Sequence, residues 1–128
     1  MAHILIVEDA PDNRAIAELI LQNAGHTVIS IGDGASAVGT AVSTRPDAIL
    51  MDLSLPKLDG WEATRRLKAN PATCDIPVIA FTAHILPSDL DRARAAGCAT
   101  IIAKPFEIDV FLAQIDALLE KHSRRVGA

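Results

Sequence analysis

Four short apolar runs, each followed at once by a charged or hydroxylated residue, constrain what this chain can fold into. The runs and the residues that follow them are 4–7 with Glu8 and Asp9, 48–51 with Asp52, 78–81 with Thr82, and 99–103 with Lys104. Short apolar runs bounded by turn residues are typical of parallel strands that are buried on both faces. Ligands bind outside the carboxyl ends of such strands. The pattern therefore predicts one site, built at strand ends from distant segments.

The segments between these runs have the apolar spacing and the end signals of helices. A further strand is predicted at about residues 27–31, between the first two runs. Pro11 marks the start of the first helix and Gly25 its end, and residues 88–96 form a short fourth helix. Five strands and five helices in strict alternation predict an α/β fold, a doubly wound parallel sheet covered on both faces.

The composition and length are those of one soluble domain, which we expect to span residues 1–128 without an output domain. The chain is 50% hydrophobic and 22% charged, with a net charge of −4. No long basic run is present, which argues against binding to nucleic acid. No apolar stretch approaches the ~20 residues of a membrane span, and the start lacks the pattern of a signal peptide. Cys74 and Cys98 have no metal-ligand spacing and indicate a reducing compartment, so we predict a cytoplasmic protein.

The order of the strands decides whether the acidic residues meet. Periodicity does not reveal this order, but the flavodoxin-like order 2-1-3-4-5 would place the ends of the first and third strands side by side. We adopt that order as the prediction, and it brings Glu8, Asp9 and Asp52 together. Three neighbouring carboxylates repel one another, and a divalent cation relieves the repulsion. Their oxygen ligands suit Mg²⁺.

The motifs at these strand ends resemble those of the receiver domain of bacterial two-component response regulators. The resemblance covers essentially the whole chain and is greatest to stand-alone receivers of the chemotaxis or cell-division type. In chain order, the residues that carry it are Val7-Glu8-Asp9, Met51-Asp52-Leu53-Ser54-Leu55-Pro56, Asp59-Gly60, Phe81-Thr82-Ala83, Gly97-Cys98-Ala99 and Lys104-Pro105-Phe106. Each motif is short, but their order and separations together are specific.

The resemblance implies a role for each residue of the acidic cluster. Asp52 would accept a phosphoryl group from a histidine kinase or a histidine phosphotransfer protein. Asp9 would bind Mg²⁺ directly, Glu8 would bind it through water, and the backbone carbonyl of Ser54 would supply a further ligand. The domain would promote its own phosphorylation and dephosphorylation, and would not be an enzyme acting on a separate substrate.

The resemblance also assigns the two remaining strand-end residues. Thr82 would hydrogen-bond one phosphoryl oxygen, and Lys104 would pair with another. In the family an aromatic residue commonly lies three positions before this lysine and moves inward on activation, whereas this chain has Ile101 there. Output is therefore expected from the loop after Thr82 and from the fourth helix. The downstream protein would bind the face formed by the fourth helix, fifth strand and fifth helix.

Two other classes of function remain open from the sequence. One is a phosphorylation-independent protein-interaction module on the same fold, for which Ile101 is the best support. The other is an enzyme or flavin-binding protein, but the first strand is not followed by a phosphate-binding glycine loop. Trp61 is expected to serve packing, and His26 is expected on the surface.

Overall fold

The computed structural model describes residues 2–53, 60–82, 87–103 and 108–127 of the chain. Strands and helices alternate along these segments, as the apolar runs predicted. The elements are β1 (His3–Val7), α1 (Pro11–Asn23), β2 (Thr27–Ile31), α2 (Ala37–Thr44), β3 (Ala48–Asp52), α3 (Gly60–Ala69), β4 (Val78–Thr82), α4 (Pro87–Ala96), β5 (Thr100–Ala103) and α5 (Ile108–Gly127).

The five strands form one parallel sheet in the order β2-β1-β3-β4-β5. This is the predicted flavodoxin-like order, which is confirmed. Because β1 lies between β2 and β3, the chain reverses its direction of winding at β1. The carboxyl ends of β1 and β3 are consequently neighbours at the switch point of the sheet.

Alternate residues of the strands pack into two cores on opposite faces of the sheet. In β1, Ile4 and Ile6 belong to the core that contains buried residues of α1 and α5. Leu5 and Val7 belong to the core that contains buried residues of α2 and α3. Both faces of the sheet are therefore covered. Burying one such aliphatic side chain contributes about 1.5–3 kcal/mol relative to leaving it exposed, which explains why the strands appear in the sequence as continuous apolar runs.

The turn from β1 into α1 positions the first two acidic residues. Ala10, the residue before α1, is extended, and Pro11 occupies the first turn of the helix, where its missing N–H is tolerated. The first helical hydrogen bond runs from the N–H of Arg14 to the carbonyl of Ala10, at 2.9 Å. Glu8 and Asp9 thus lie between the last residue of the strand and the start of the helix.

One surface prediction is wrong. The side chain of His26 is only 7% exposed, because the turn between α1 and β2 packs beside α5. Its Nδ1 accepts a hydrogen bond from the N–H of Ala2 at 3.1 Å, and its Nε2 lies 3.6 Å from Oδ1 of Asp116. This contact joins residues far apart along the chain, so local sequence patterns could not predict it.

Among the residues that the structure describes, none of the helices combines the length and the hydropathy that crossing a lipid bilayer requires.

Candidate functional site

The site lies where β1 and β3 end side by side. Val7 and Met51 are register partners in the parallel ladder, so Glu8 and Asp52 occupy the next positions of the two neighbouring strands. Asp9 follows in the turn that leads to α1. Strand order and register, rather than closeness in sequence, bring these residues to one edge of the sheet.

Three carboxylates meet at this edge. One carboxylate oxygen from each of Glu8, Asp9 and Asp52 lies within 4.8 Å of the other two. Glu8 is 1% exposed and Asp52 3% exposed, whereas Asp9 is exposed. Two buried anions at this separation repel each other strongly unless positive charge compensates them. The described residues contain no second cluster of this kind.

Several hydrogen bonds fix Glu8. Its own N–H donates to the carbonyl of Ile31 at 3.0 Å, which ties it to the end of β2. Its Oε1 accepts hydrogen bonds from the N–H of Ala10 at 3.3 Å and from the amide of Asn13 at 3.4 Å. Its carbonyl accepts a hydrogen bond from Nη1 of Arg14 at 3.2 Å. Glu8 is thus held through its backbone and its carboxylate.

Asp52 is the last residue of β3, and α3 begins in contact with its backbone. A Cβ atom built on Gly60 would clash with the carbonyl group of Asp52 and would come within 2.7 Å of the Leu53 Cα. The N–H of Gly60 donates to the carbonyl of Leu53 at 3.4 Å. A residue without a side chain is therefore needed where α3 meets the end of β3.

The remaining predicted site residues follow the ends of the next strands. Asp52 pairs with Phe81, so Thr82 ends β4 one position further along, and Thr82 pairs with Ala103 at the end of β5. The backbone of Thr82 therefore lies at the same edge as the acidic cluster. The Thr82 side chain, Lys104 and the carbonyl of Ser54 lie outside the described part of the chain.

Trp61 and Ile101 share a small cluster between the sheet and α4. Trp61 is 6% exposed and packs with Leu53, Ala80 and the alanines of α4, which confirms its predicted packing role. Ile101 is partly buried against the same cluster. The guanidinium of Arg92, on α4, lies 4.4 Å from the centre of the Trp61 ring, the geometry of a cation–π interaction.

A second group of titratable residues lies away from the acidic cluster, where α3 packs beside the start of β5. Nζ of Lys68 donates to the carbonyl of Ile76 at 2.6 Å and to that of Cys74 at 3.2 Å. Burial lowers the pKa of the Lys68 ammonium, although the nearby cysteines and Asp75 oppose the shift. Burial raises the pKa of the Cys98 thiol. These contacts tie α3 to the loop before β4.

Sequence reasoning missed three residues of the site. Asn13 and Arg14 contact Glu8 from the first turn of α1, and Gly60 lies against Asp52. An amide and a guanidinium five and six residues after Glu8 could have suggested the first two contacts. For Gly60 the only signal was its place in a motif, because the close approach depends on how α3 packs.

This edge combines a buried carboxylate at a strand end with two further carboxylates, at the switch point of a doubly wound sheet. Oxygen ligands of this kind suit a divalent cation, so the fold and site together define a doubly wound α/β domain with a candidate cation site at its switch point. The model of the family described as "Response regulator receiver domain" matches residues 4–116, and the chain belongs to this family.

Proteins with similar sequences support the same family assignment. The chain is 36% identical over 116 residues to the polar-differentiation response regulator DivK of Brucella anthropi, covering 91% of this chain and 94% of DivK. It is 34% identical over 119 residues to protein PilH of Pseudomonas aeruginosa, covering 93% and 98%. It is 36% identical over 124 residues to the transcriptional regulator RpaA of Synechocystis, covering 97% of this chain but only 52% of RpaA. The chain thus spans about half the length of that relative.

Solved structures share the fold. The receiver domain of a sensor histidine kinase from Pseudomonas aeruginosa, with a magnesium ion coordinated in its active-site cleft, is 38% identical with a TM-score of 0.80; the match covers 99% of this chain and 98% of that one. The signal receiver domain of a histidine kinase from Syntrophus aciditrophicus is 34% identical with a TM-score of 0.87, covering 94% and 92%.

Proposed function

We propose that this protein accepts a phosphoryl group on Asp52 from a histidine kinase or a histidine phosphotransfer protein, in a Mg²⁺-dependent reaction. The observation that carries the proposal is the cluster of Glu8, Asp9 and Asp52, whose carboxylate oxygens lie within 4.8 Å of one another at the switch point. Phosphorylation would then change which proteins the domain binds, or the phosphoryl group would be passed on in a phosphorelay.

The residues present fit Mg²⁺. This ion prefers oxygen ligands and is usually bound by one or two carboxylates, with water completing its shell. Asp9 would be a direct ligand, Glu8 would bind through water, and Asp52 would be a ligand as well as the phosphoacceptor. The carbonyl of Ser54 is proposed as a further ligand. When bound, the ion would neutralise charge on the transferring phosphoryl group.

The reaction at Asp52 is a displacement at phosphorus. A carboxylate oxygen of Asp52 forms a bond to phosphorus while the bond from phosphorus to the donor's histidine nitrogen breaks. The nitrogen leaves with the electron pair, so the donor regains its imidazole and Asp52 becomes an acyl phosphate. The fixed position of Asp52, 3% exposed at the end of β3, limits the directions from which a donor can approach.

Thr82 and Lys104 are proposed to contact the phosphoryl oxygens. Thr82 is the last residue of β4, which lies next to β3, and Lys104 follows β5, which lies next to β4. The ladder pairs Thr82 with Ala103, the residue before Lys104. A hydroxyl and an ammonium group there would each stabilise negative charge that the reaction brings to this edge. The domain would in this way promote its own phosphorylation and dephosphorylation.

The output is proposed to leave through the face formed by α4, β5 and α5. Within this face, α4 is coupled to the site by packing. Trp61 on α3 contacts α4, and α3 begins against the backbone of Asp52. A change at Asp52 would therefore bias the position of α4. The partner would be a downstream protein, as expected for a phosphorylation switch.

The decisive experiment is labelling by a small phosphodonor. The protein is incubated with acetyl phosphate and Mg²⁺, and intact-mass spectrometry counts the phosphoryl groups that are added. Wild type should gain one group, and Asp52→Asn should gain none. A matched control is Asp75→Asn, because Asp75 is exposed in the loop before β4, at the opposite edge of the sheet.

Labelling of Asp52→Asn at the wild-type level would overturn the assignment of Asp52. Labelling of wild type that is equally fast in EDTA would overturn the role of Mg²⁺. A panel of histidine kinases from the source organism would then identify the donor that phosphorylates the protein fastest.

Ile101 favours one alternative, a protein-interaction module that works without phosphorylation. Ile101 packs against the Trp61 cluster at the position where the family commonly has an aromatic residue, so the usual inward movement of a ring has no counterpart here. Failure to bind Mg²⁺ or beryllofluoride, as measured by Trp61 fluorescence, would favour this alternative.

A further inference from the structure

We propose that Asn13 and Arg14 are positioning residues of the acidic site: they hold Glu8 by its carboxylate and its carbonyl, and thereby set the affinity for the divalent cation. The inference rests on the proposed function, since it concerns the ion that the three carboxylates would bind. It gives the first turn of α1 a role in metal binding, although that turn contributes no residue to the acidic cluster itself.

Asn13 acts on the carboxylate. Its side-chain nitrogen donates to Oε1 of Glu8 at 3.4 Å, and the N–H of Ala10 donates to the same oxygen at 3.3 Å. Two donors on one oxygen restrict rotation of the carboxylate about its terminal torsion, which is otherwise broad. Glu8 therefore presents its carboxylate to Asp9 and Asp52 in a set orientation, and a bound ion meets ligands that are already arranged.

Arg14 acts on the backbone. Nη1 of Arg14 donates to the carbonyl of Glu8 at 3.2 Å, while the N–H of Glu8 donates to Ile31 at 3.0 Å. The peptide groups on either side of Glu8 are thus both held. The guanidinium also lies close to the loop after β2, since a Cβ atom on Gly32 would be 3.1 Å from Nη1 of Arg14.

Glu8 needs this support because it lies between two elements. It follows the last residue of β1, and α1 begins only at Pro11, so the sheet ladder holds one side of Glu8 and no helical hydrogen bond holds the other. Its carboxylate is nevertheless buried, at 1% exposure. A buried anion in a turn must be fixed by hydrogen bonds, or it relaxes away from its neighbours.

The test measures Mg²⁺ binding by isothermal titration calorimetry, with the metal alone as the ligand. Asn13→Ala and Arg14→Met should each weaken binding roughly tenfold, the lower end of the range for hydrogen-bond partners of metal ligands. Arg14→Lys keeps a donor and should stay within about twofold of wild type. The controls are Asn23→Ala, at the exposed end of the same helix, and Arg94→Met, exposed on α4.

A second readout, the Mg²⁺ dependence of phosphorylation by acetyl phosphate, distinguishes a positioning role from a purely structural role. A positioning role raises the Mg²⁺ concentration needed for half the maximal rate and leaves the rate at saturating Mg²⁺ near that of wild type. A loss of folding lowers the saturating rate as well. Gly32→Ala tests the hydrogen bond between Arg14 and the Glu8 carbonyl without replacing Arg14 or Glu8. This substitution should weaken Mg²⁺ binding in the wild-type background but not in the Arg14→Met background.

The outcomes distinguish this inference from the function on which it rests. If wild type binds no Mg²⁺, the proposed function fails. If wild type binds Mg²⁺ and both Asn13→Ala and Arg14→Met bind it within about twofold as tightly, only the positioning role is overturned. Equal weakening by the Asn23 and Arg94 controls would also overturn it.

Discussion

Gly60 lies directly against the carbonyl group of Asp52, so close that a Cβ atom at position 60 would overlap it. The strand that holds the central carboxylate and the helix that follows it are therefore in contact without an intervening side chain. The next residue, Trp61, packs against the alanines of α4. The backbone of Asp52 is in this way connected to α4 through two consecutive residues.

Replacing Gly60 should destabilise the protein. Gly60→Ala places a methyl group within 2.7 Å of the Leu53 Cα, where backbone rather than a flexible side chain must move. Overpacking of this kind costs about 1–3 kcal/mol of the free energy of unfolding, measured by urea denaturation. The matched control is Gly39→Ala on α2, where a Cβ would have no neighbour within 4 Å. That change should stabilise the helix, so equal effects of the two substitutions would contradict the prediction.

Removing Mg²⁺ should lower stability by an amount set by its affinity. At a free Mg²⁺ concentration ten times the dissociation constant, binding to the folded state alone adds about 1.4 kcal/mol to the free energy of unfolding. Urea denaturation in Mg²⁺ and in EDTA measures the difference. Asp9→Asn should abolish most of it, and Asp75→Asn should retain it. Identical curves for wild type in Mg²⁺ and in EDTA would contradict binding.

The Cys98 thiol should react slowly and only at high pH. Burial raises its pKa above the ordinary value of 9.0, and the thiolate is the reactive form. In a Cys74→Ser background, the rate of alkylation by iodoacetamide should therefore reach half its maximum at a higher pH in the folded protein than in the same protein unfolded in urea. An equal or lower midpoint in the folded protein would contradict the raised pKa.

The same shift predicts a pH dependence of stability. Above the unfolded pKa the native state retains a proton that the unfolded state has lost, so the free energy of unfolding falls as pH rises. Cys98→Ala should remove this pH-dependent contribution, so the difference in the free energy of unfolding between the two proteins should be constant at neutral pH and change only at alkaline pH. Lys68 has the opposite effect on stability. Because its pKa is lowered in the folded state, the unfolded state binds more protons at pH values just below the ordinary pKa of 10.5, and the free energy of unfolding there rises with pH.

The contact between Arg92 and Trp61 should be measurable by fluorescence. Trp61 is the only tryptophan in the chain, and the Arg92 guanidinium lies 4.4 Å from the centre of its ring. Arg92→Met should change the Trp61 emission and lower the free energy of unfolding by about 0.5–1 kcal/mol, as for exposed cation–π pairs. Arg94→Met, exposed on the same helix, should change neither quantity.

Most of the fold could be predicted because its strands are buried on both faces. A run such as residues 48–51 must then be apolar at every position, and that local signal survives in any tertiary context. Helix ends were equally local, since Pro11 and Gly25 act through their own backbone restrictions. Contacts between distant segments could not be predicted: His26 was expected on the surface, but its side chain is 7% exposed and lies 3.6 Å from Asp116 on α5.

The candidate site was likewise predictable from the sequence only in part. The sequence by itself determined that Glu8, Asp9 and Asp52 lie at the ends of apolar runs, because Glu8 and Asp52 follow their runs directly and Asp9 follows Glu8. Only the tertiary structure decided that they meet, since the strand order and the pairing of Val7 with Met51 set the distances between them. Only the tertiary structure, likewise, showed Asn13 and Arg14 on Glu8. The type of each residue limits the chemistry of its side chain, whereas packing between distant segments decides which side chains lie close enough to act together.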